Sequence, residues 1–421
     1  MSMDMIVDLD DAARKILERN DKGTYTVPTH GLYPYQWNWD SAFAAFGFAQ
    51  FDCNRGWVEL ETLFSGQWDS GMVPHILFHN REDEDYFPGP GVWDGIGPIP
   101  SSGITQPPIA ATMALLMWDR DPDMARDRMQ PMFEKMVAWH DWIIKWRMTE
   151  DGAIFTTHPW ETGRDNAPDW DIALAGIDPV GVGEYKRRDL SHVDNDMRPT
   201  KYDYDRYIWL VKRGASLDWD DEKTSENAPL KVAEPMMTFT FLRAQRDLIK
   251  LGHLLGRDVS ALEASIPQLE AGAQTLWNPL LGAYDSRDLK SGKWSNAISN
   301  ASFLCWYAGL DAPEMVPVLK RVTEDMSYGV PSLDPHDPRF DSKRYWRGPV
   351  WGVVNMLIGM GMNDKGMPEG AELRKSTADL IHNHGFSEYF DPQDGAPAGG
   401  QSFTWTAVVW LGWASPNARQ I

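Results

Sequence analysis

Apolar residues in this chain recur mainly with helical spacing, and the helices they predict come in two textures. Segments 40–51, 108–118, 297–308, 350–361 and 403–413 are apolar nearly all round, the mark of a helix buried on every side. Segments 9–19, 123–148, 234–255, 259–277 and 368–383 are amphipathic, with charged outer faces. Further helices are expected at 55–68, 203–213 and 313–325; several helices open on Asp, Ser or Pro and close near Gly or Asn, as caps require. Strand signals are short, at 76–78 and 153–155. Alternating buried and half-buried helices, about twelve in all, predict two concentric rings: an all-α fold, the (α/α)6 toroid. A long bundle or an α-solenoid is the runner-up, but a solenoid carries a repeat period and none is visible. A chain of 421 residues could hold several domains of roughly 150 residues each; the ring pattern instead predicts one catalytic domain over 1–421.

If the inner helices run parallel, the loops entering them share one end of the toroid. Those loops carry the unusual residues: YPYQWNWD at 33–40, SGITQPP at 102–108, RYWRGPVW at 344–351 and AGGQSFTW at 398–405. The irregular stretch 152–232 is expected to fold over the same end as a cap insertion. It contains HPWETGRDNAPDWD at 158–171, two tryptophans and several acids in a segment that suits neither helix nor strand. The chain has 21 tryptophans. An indole offers a flat apolar face and one N–H donor, which suits the C–H faces of a sugar; for any single tryptophan, a place in the core is the simpler reading.

The net charge of -21 excludes nucleic acid and anionic membrane as partners, because phosphate-binding faces need clustered Lys and Arg. Cys53 and Cys305 sit in apolar helical text and read as small hydrophobes in a reducing compartment. The start, MSMDMIVDLDDAARK, lacks the basic flank and apolar stretch of a signal peptide, so a cytoplasmic location is expected. The most apolar window, 109–118, is shorter than the roughly 20 residues that span a bilayer. His75 and His79 have helical i, i+4 spacing but no intervening Glu and no third ligand, so no metal is expected. The segment 89–97 misses the dinucleotide fingerprint, and no cofactor is expected. His382 and His384, at a helix end, complement the dipole, and the acidic run 218–222 reads as solvated surface. A homo-oligomer remains compatible with the sequence.

What remains is carboxylates among aromatics. Hydrolysis of a glycosidic bond needs one acid for the leaving oxygen and one base or nucleophile on the opposite face. One carboxyl should lie in 158–171, where Glu161, Asp165, Asp169 and Asp171 compete. A second candidate is Glu388 in HGFSEYFDP, which precedes the Gly-rich GAPAGGQ. The run 161–171, ETGRDNAPDWD, resembles the E-S-G-x-D-N-S-P motif of glycoside hydrolase family 63, and more loosely its trehalase relatives. SEYFDP at 387–392 is similar to that family's second motif, and YQWNWDSAF, GITQPP and YWRGPVW to its loops. The matches run in order from residue 33 to about 410, and the family's fold is the (α/α)6 toroid.

The resemblance implies Asp165 as general acid and Glu388 as general base of an inverting α-glycosidase, with Glu161, Asp169 and Asp171 in support. Carboxyls serving inversion lie about 6.5–9.5 Å apart, leaving room for water. Ala167 replaces the family's usual serine after D-N. The family's loops imply a substrate-binding set of Tyr33, Trp37, Trp39, Asp40, Tyr86, Gln106, Tyr345, Trp346, Arg347, Trp351 and Gln401. Other members carry a large N-terminal β domain, whereas here the toroid is expected almost from residue 1. That compact form resembles the mannosylglycerate and glucosylglycerate hydrolases, and Arg198 with Tyr204 falls where those enzymes carry an Arg/Tyr pair in the cap. Arg198 would then meet a substrate carboxylate; its alternative is a surface charge. Arg347, at a position common to the family, is expected to hold the pocket together. The implied partner is a small-molecule glycoside, mannosylglycerate or glucosylglycerate. The rivals are trehalase-like or α-glucosidase activity on a short neutral glycoside. From another class come a sugar epimerase or isomerase, which needs histidine pairs in the pocket, and a non-catalytic sugar-binding protein.

Overall fold

The computed structural model describes residues 3–79, 86–187 and 195–419, with the side chains of 3–7 and 195 left aside. The helices are α1 (Met3–Asn20), α2 (Asn38–Phe48), α3 (Cys53–Ser65), α4 (Ala110–Trp118) and α5 (Pro122–Arg147), then the short α6 (Asp171–Ala175), α7 (Lys201–Ala215) and α8 (Asp221–Glu226). After them come α9 (Pro235–Leu255), α10 (Ser260–Gln274), α11 (Met315–Thr323), α12 (Gly352–Asp364), α13 (Glu369–His384) and α14 (Thr404–Val409). Local chemistry sets many of the starts. Asp52 and Asp121 accept backbone N–H bonds at the heads of α3 and α5, and Glu234 accepts two at the head of α9. Thr200 and Asp203 form a capping box on α7.

An inner ring closes on itself. α2 packs on α4, α4 on α9, α9 on the 3-10 turn Asn300–Cys305, that turn on α12, α12 on α14, and α14 back on α2. α1, α3, α5, α10 and α13 lie outside, each against its inner neighbours. This is the (α/α)6 toroid. Every residue of α2 is buried, which is why its sequence is apolar with no stripe.

Two ring members depart from expectation. α9 has an amphipathic sequence yet belongs to the inner ring, with most of its residues buried. Its charges begin at Arg243, and Asp247 is paired by Arg243 at 2.6 Å and Lys250 at 2.9 Å. The expected helix 297–308 is instead the 3-10 turn. There the Asn300 N–H donates to the Ser332 carbonyl, and Gly361 of α12 packs onto the Tyr307 backbone, where a Cβ would stand 2.1 Å from its nitrogen.

The inner helices are entered from one end, through the loops that the sequence marks as unusual. Phe155–Thr156 pairs antiparallel with Val232–Ala233, so the long irregular segment leaves and returns at adjacent strands. The part of that segment at 188–194 lies outside the described residues. No described helix is long and apolar enough to cross a membrane, and Cys53 and Cys305 are free thiols.

Candidate active site

A cavity opens at this end, and both carboxyls singled out above line it: Asp165 from the 158–171 loop and Glu388 from the turn after α13. Around them stand Tyr33, Trp37, Trp39 and Asp40 from the loop entering α2, Gln106 from the loop entering α4, Tyr345, and Tyr86, Arg198 and Tyr204. Residues more than 300 positions apart meet here because the ring closes.

Glu388 is buried and heavily bonded. Its Oε2 accepts from Arg198 Nη2 at 2.8 Å and from the Gly400 N–H at 2.8 Å. Its Oε1 accepts from the Tyr33 hydroxyl at 3.2 Å, while Arg198 Nη1 lies 3.5 Å away and donates to the Tyr33 oxygen at 3.0 Å. Gly399 makes the approach feasible: it sits at φ +70°, and a Cβ there would stand 2.4 Å from Glu388 Oε2. The guanidinium lies 4.5 Å above the Tyr345 ring. Burial works against the Arg198 charge, but Glu388, with Tyr33, Tyr345 and Tyr389, more than offsets it and raises its pKa well above the ordinary value.

The Asp165 loop is held by its neighbours. Arg164, fully buried, forks onto Asp169 at 2.8 and 3.3 Å, and Asp169 also accepts from Ser286 at 2.6 Å. Glu161 accepts from Arg147 at 3.0 Å and from the Thr157 N–H at 2.7 Å. The Tyr207 hydroxyl donates to the Asp165 carbonyl at 2.8 Å, and Asn166 accepts from the Trp346 N–H at 2.9 Å. Gly163 turns the chain at φ +70°, and a Cβ there would meet Trp39 at 2.5 Å. Gly163→Ala therefore must displace Trp39 or the loop. We expect a destabilisation of about 1–3 kcal/mol, read by thermal unfolding, with a kcat loss exceeding any change in KM.

Asp40 is buried beside Glu388, and burial first, then the Glu388 charge, pushes its carboxyl up to about 8. The unfolded chain releases that proton near pH 3.9. Between roughly pH 4 and 8 the folded state thus holds a proton that the unfolded state lacks, and stability falls as pH rises across that window before levelling off. Asp40→Asn should remove this slope, so that the variant exceeds the wild type in thermal stability by a margin that widens towards pH 8. A margin independent of pH would show that Asp40 is ionised in the folded protein.

Four expected pocket residues lie elsewhere. Trp346 and Trp351 stack on each other, ring centroids 3.7 Å apart at 4°, and neither lines the cavity. Tyr345, at φ +43°, takes the cavity wall, and Trp351 donates to its carbonyl at 3.1 Å from behind. Arg347 is also outside the lining, paired with Asp171 at 3.1 Å. Gln401 is exposed and lines a separate cleft with Arg19, Asn20 and Thr29, its amide oxygen accepting from Ser387 at 2.9 Å. The Gly400 N–H is committed to Glu388, which leaves the next side chain on the outer face of the turn.

His75, Trp160, Phe403 and Trp405 line the cavity as well. Trp160 is legible in the aromatic loop 158–171. His75 is not: its segment is a strand, Ile76–Leu77, and not a helix with His79. Its Nδ1 faces the Ser102 hydroxyl at 3.1 Å, and that oxygen already accepts from the Ile76 N–H. The hydroxyl hydrogen is free to go to Nδ1, leaving the ring proton on Nε2. Burial, and then His158, keep His75 neutral.

Two carboxyls and an arginine in an aromatic cavity at one end of a helical toroid define a glycoside hydrolase. The family model described as mannosylglycerate hydrolase MGH1-like glycoside hydrolase domain matches residues 33–406. Mannosylglycerate hydrolase MGH1 of Selaginella moellendorffii is 41% identical over 96% of this chain and 85% of its own length. Glucosylglycerate hydrolase of Mycolicibacterium hassiacum is 33% identical over 95% and 96%. The crystal structure of the family 63 mannosylglycerate hydrolase of Thermus thermophilus in complex with Tris and D-glycerate superposes with a TM-score of 0.92 at 40% identity, covering 96% of this chain and 99% of that one. The chain belongs to the MGH1-like glycoside hydrolases of family 63.

Proposed function

We propose that the chain hydrolyses mannosylglycerate with inversion at the anomeric carbon, Asp165 acting as general acid and Glu388 as general base. The observation that carries this reading is the buried Arg198, a cation inside the cavity of a protein of charge -21, beside Glu388 and across from the sugar-side residues. Long-range electrostatics oppose an anionic substrate, so a local guanidinium must reverse the sign where the glycerate carboxylate binds. Trp37 and Trp39 cover the apolar faces of the hexose. Gln106 and the Nε2–H of His75 bond its hydroxyls, and Asp40, carrying its proton, donates as well. Tyr86 and Tyr204 stand beside the glycerate.

In the reaction Glu388 takes a proton from water, and the water oxygen bonds to the anomeric carbon. The bond to the glycerate oxygen breaks, and Asp165 gives its proton to that oxygen. The chain forms one catalytic domain, 1–421, with 152–232 as its cap; the adjacent strands at which that segment leaves and returns support this division. A cytoplasmic location fits two free thiols. The glucose analogue is the second substrate reading, favoured by the 33% identical relative that hydrolyses glucosylglycerate by name. A hydrolysis screen over mannosylglycerate, glucosylglycerate, trehalose, kojibiose and nigerose, with the product anomer followed by proton NMR, tests all of this. Turnover of a neutral disaccharide but of neither glycerate would overturn it.

A further inference from the structure

The cavity pairs the base with the cation that the substrate needs. Arg198 is forked over Glu388 and Tyr33, at 2.8 Å to Oε2, 3.5 Å to Oε1 and 3.0 Å to the phenol oxygen. Both side chains of the ion pair are about 1% exposed. The carboxylate accepts from Arg198, from Tyr33 and from the Gly400 N–H, so its oxygens are already engaged where a water proton would arrive. The Nε of Arg198 is buried with no hydrogen-bond partner among the described residues. Among the described residues the guanidinium therefore has one donor without a partner, beside the edge that holds Glu388.

We infer that the aglycone carboxylate arms the general base, by drawing Arg198 away from Glu388 as it binds. This rests on the reading of the substrate as a glycerate glycoside. An incoming carboxylate can take the Nε edge and share the guanidinium, or displace Glu388 from Nη2. In both cases Glu388 keeps less of the cation and gains an anionic neighbour, and each change strengthens it as a proton acceptor. Among the described residues, the other ionisable groups that face Glu388 in the cavity do not replace the lost cation, and Arg187 is turned to the Pro199 carbonyl. Tyr33, Tyr345 and Tyr389 are phenols, Asp40 carries a proton until about pH 8, and Asp165 is an acid. No bond other than those of the hydrolysis is made or broken; the device is the exchange of one ion pair for another. It places selection for an acidic aglycone in kcat as well as in KM, and it keeps the base quiet towards neutral glycosides that fit the hexose side.

The test separates the base from the aglycone. A glycosyl fluoride carries its own leaving group, needs a base but little acid, and leaves the aglycone space open. Hydrolysis of α-mannosyl and α-glucosyl fluoride by the full chain is measured with added D-glycerate, and with glycerol as the uncharged control. D-glycerate should raise kcat on the accepted fluoride roughly three- to tenfold, saturably, and glycerol should not. Arg198→Gln should raise the glycerate-free rate on the fluoride and abolish the stimulation. Inhibition by D-glycerate, or no effect of it, in an enzyme that still hydrolyses mannosylglycerate or glucosylglycerate overturns the inference. Failure to hydrolyse either glycerate glycoside overturns the substrate reading beneath it. The wild-type measurement stands whether or not the variant folds.

Discussion

Asp165→Asn and Glu388→Gln should each lower kcat on mannosylglycerate by about 10²–10⁴-fold, the usual contribution of a general acid or base. KM should change little for Asp165→Asn, which keeps the side-chain volume, whereas Glu388→Gln should lower KM for mannosylglycerate by releasing Arg198 from its ion pair. The two losses are distinguishable. Fluoride leaves without protonation, so Asp165→Asn should keep most of its activity on a glycosyl fluoride, whereas Glu388→Gln should lose it. Far-ultraviolet circular dichroism should be unchanged for Asp165→Asn. Glu388→Gln is expected to lose thermal stability, since it leaves Arg198 buried beside a neutral partner. Retention of more than a tenth of the wild-type kcat by either variant would return that carboxyl to a supporting role.

The second large effect is on the aglycone. Truncating a charged hydrogen-bond partner costs on the order of 2–5 kcal/mol, so Arg198→Ala should raise KM for mannosylglycerate at least about 30-fold. KM for a neutral analogue such as glucosylglycerol should move far less, since that ligand has no charge to lose. Arg198→Lys should recover part of the affinity, because an ammonium keeps the charge without the planar fork. Equal losses on the charged and neutral substrates would mean that Arg198 serves only to hold Glu388, and would remove the case for a glycerate.

Much of this was legible in the residues alone. α2, α4, α12 and α14 announce themselves as inner helices because burial on every side removes the polar face that other helices must keep. Asp165 and Glu388 could be picked out of 61 acidic residues because the aromatic loops around them, ETGRDNAPDWD and SEYFDP, resemble the two motifs of the family; the close approaches of Gly163 to Trp39 and of Gly399 to Glu388 became visible only in the fold. α9 was misread as an outer helix because amphipathicity reports charge and not its pairing; Asp247 is buried with its cations supplied by its own helix.

By itself, then, the sequence determined the ring architecture and the end of it that carries the loops, since both follow from local composition and helical period; the two carboxyls that share the cavity were legible only through the resemblance of their loops to the family's motifs. Only the tertiary structure decided which aromatic of a loop faces the cavity and which lies behind it. Tyr345 lines the wall while Trp346 and Trp351 stack behind it, because a left-handed turn at one residue reverses the side on which the next side chain falls. It alone decided the partners of the charges: Arg347 goes to Asp171, and Arg198 to Glu388, 190 residues away. Pairing at that separation depends on the closure of the ring, which no local pattern of residues encodes.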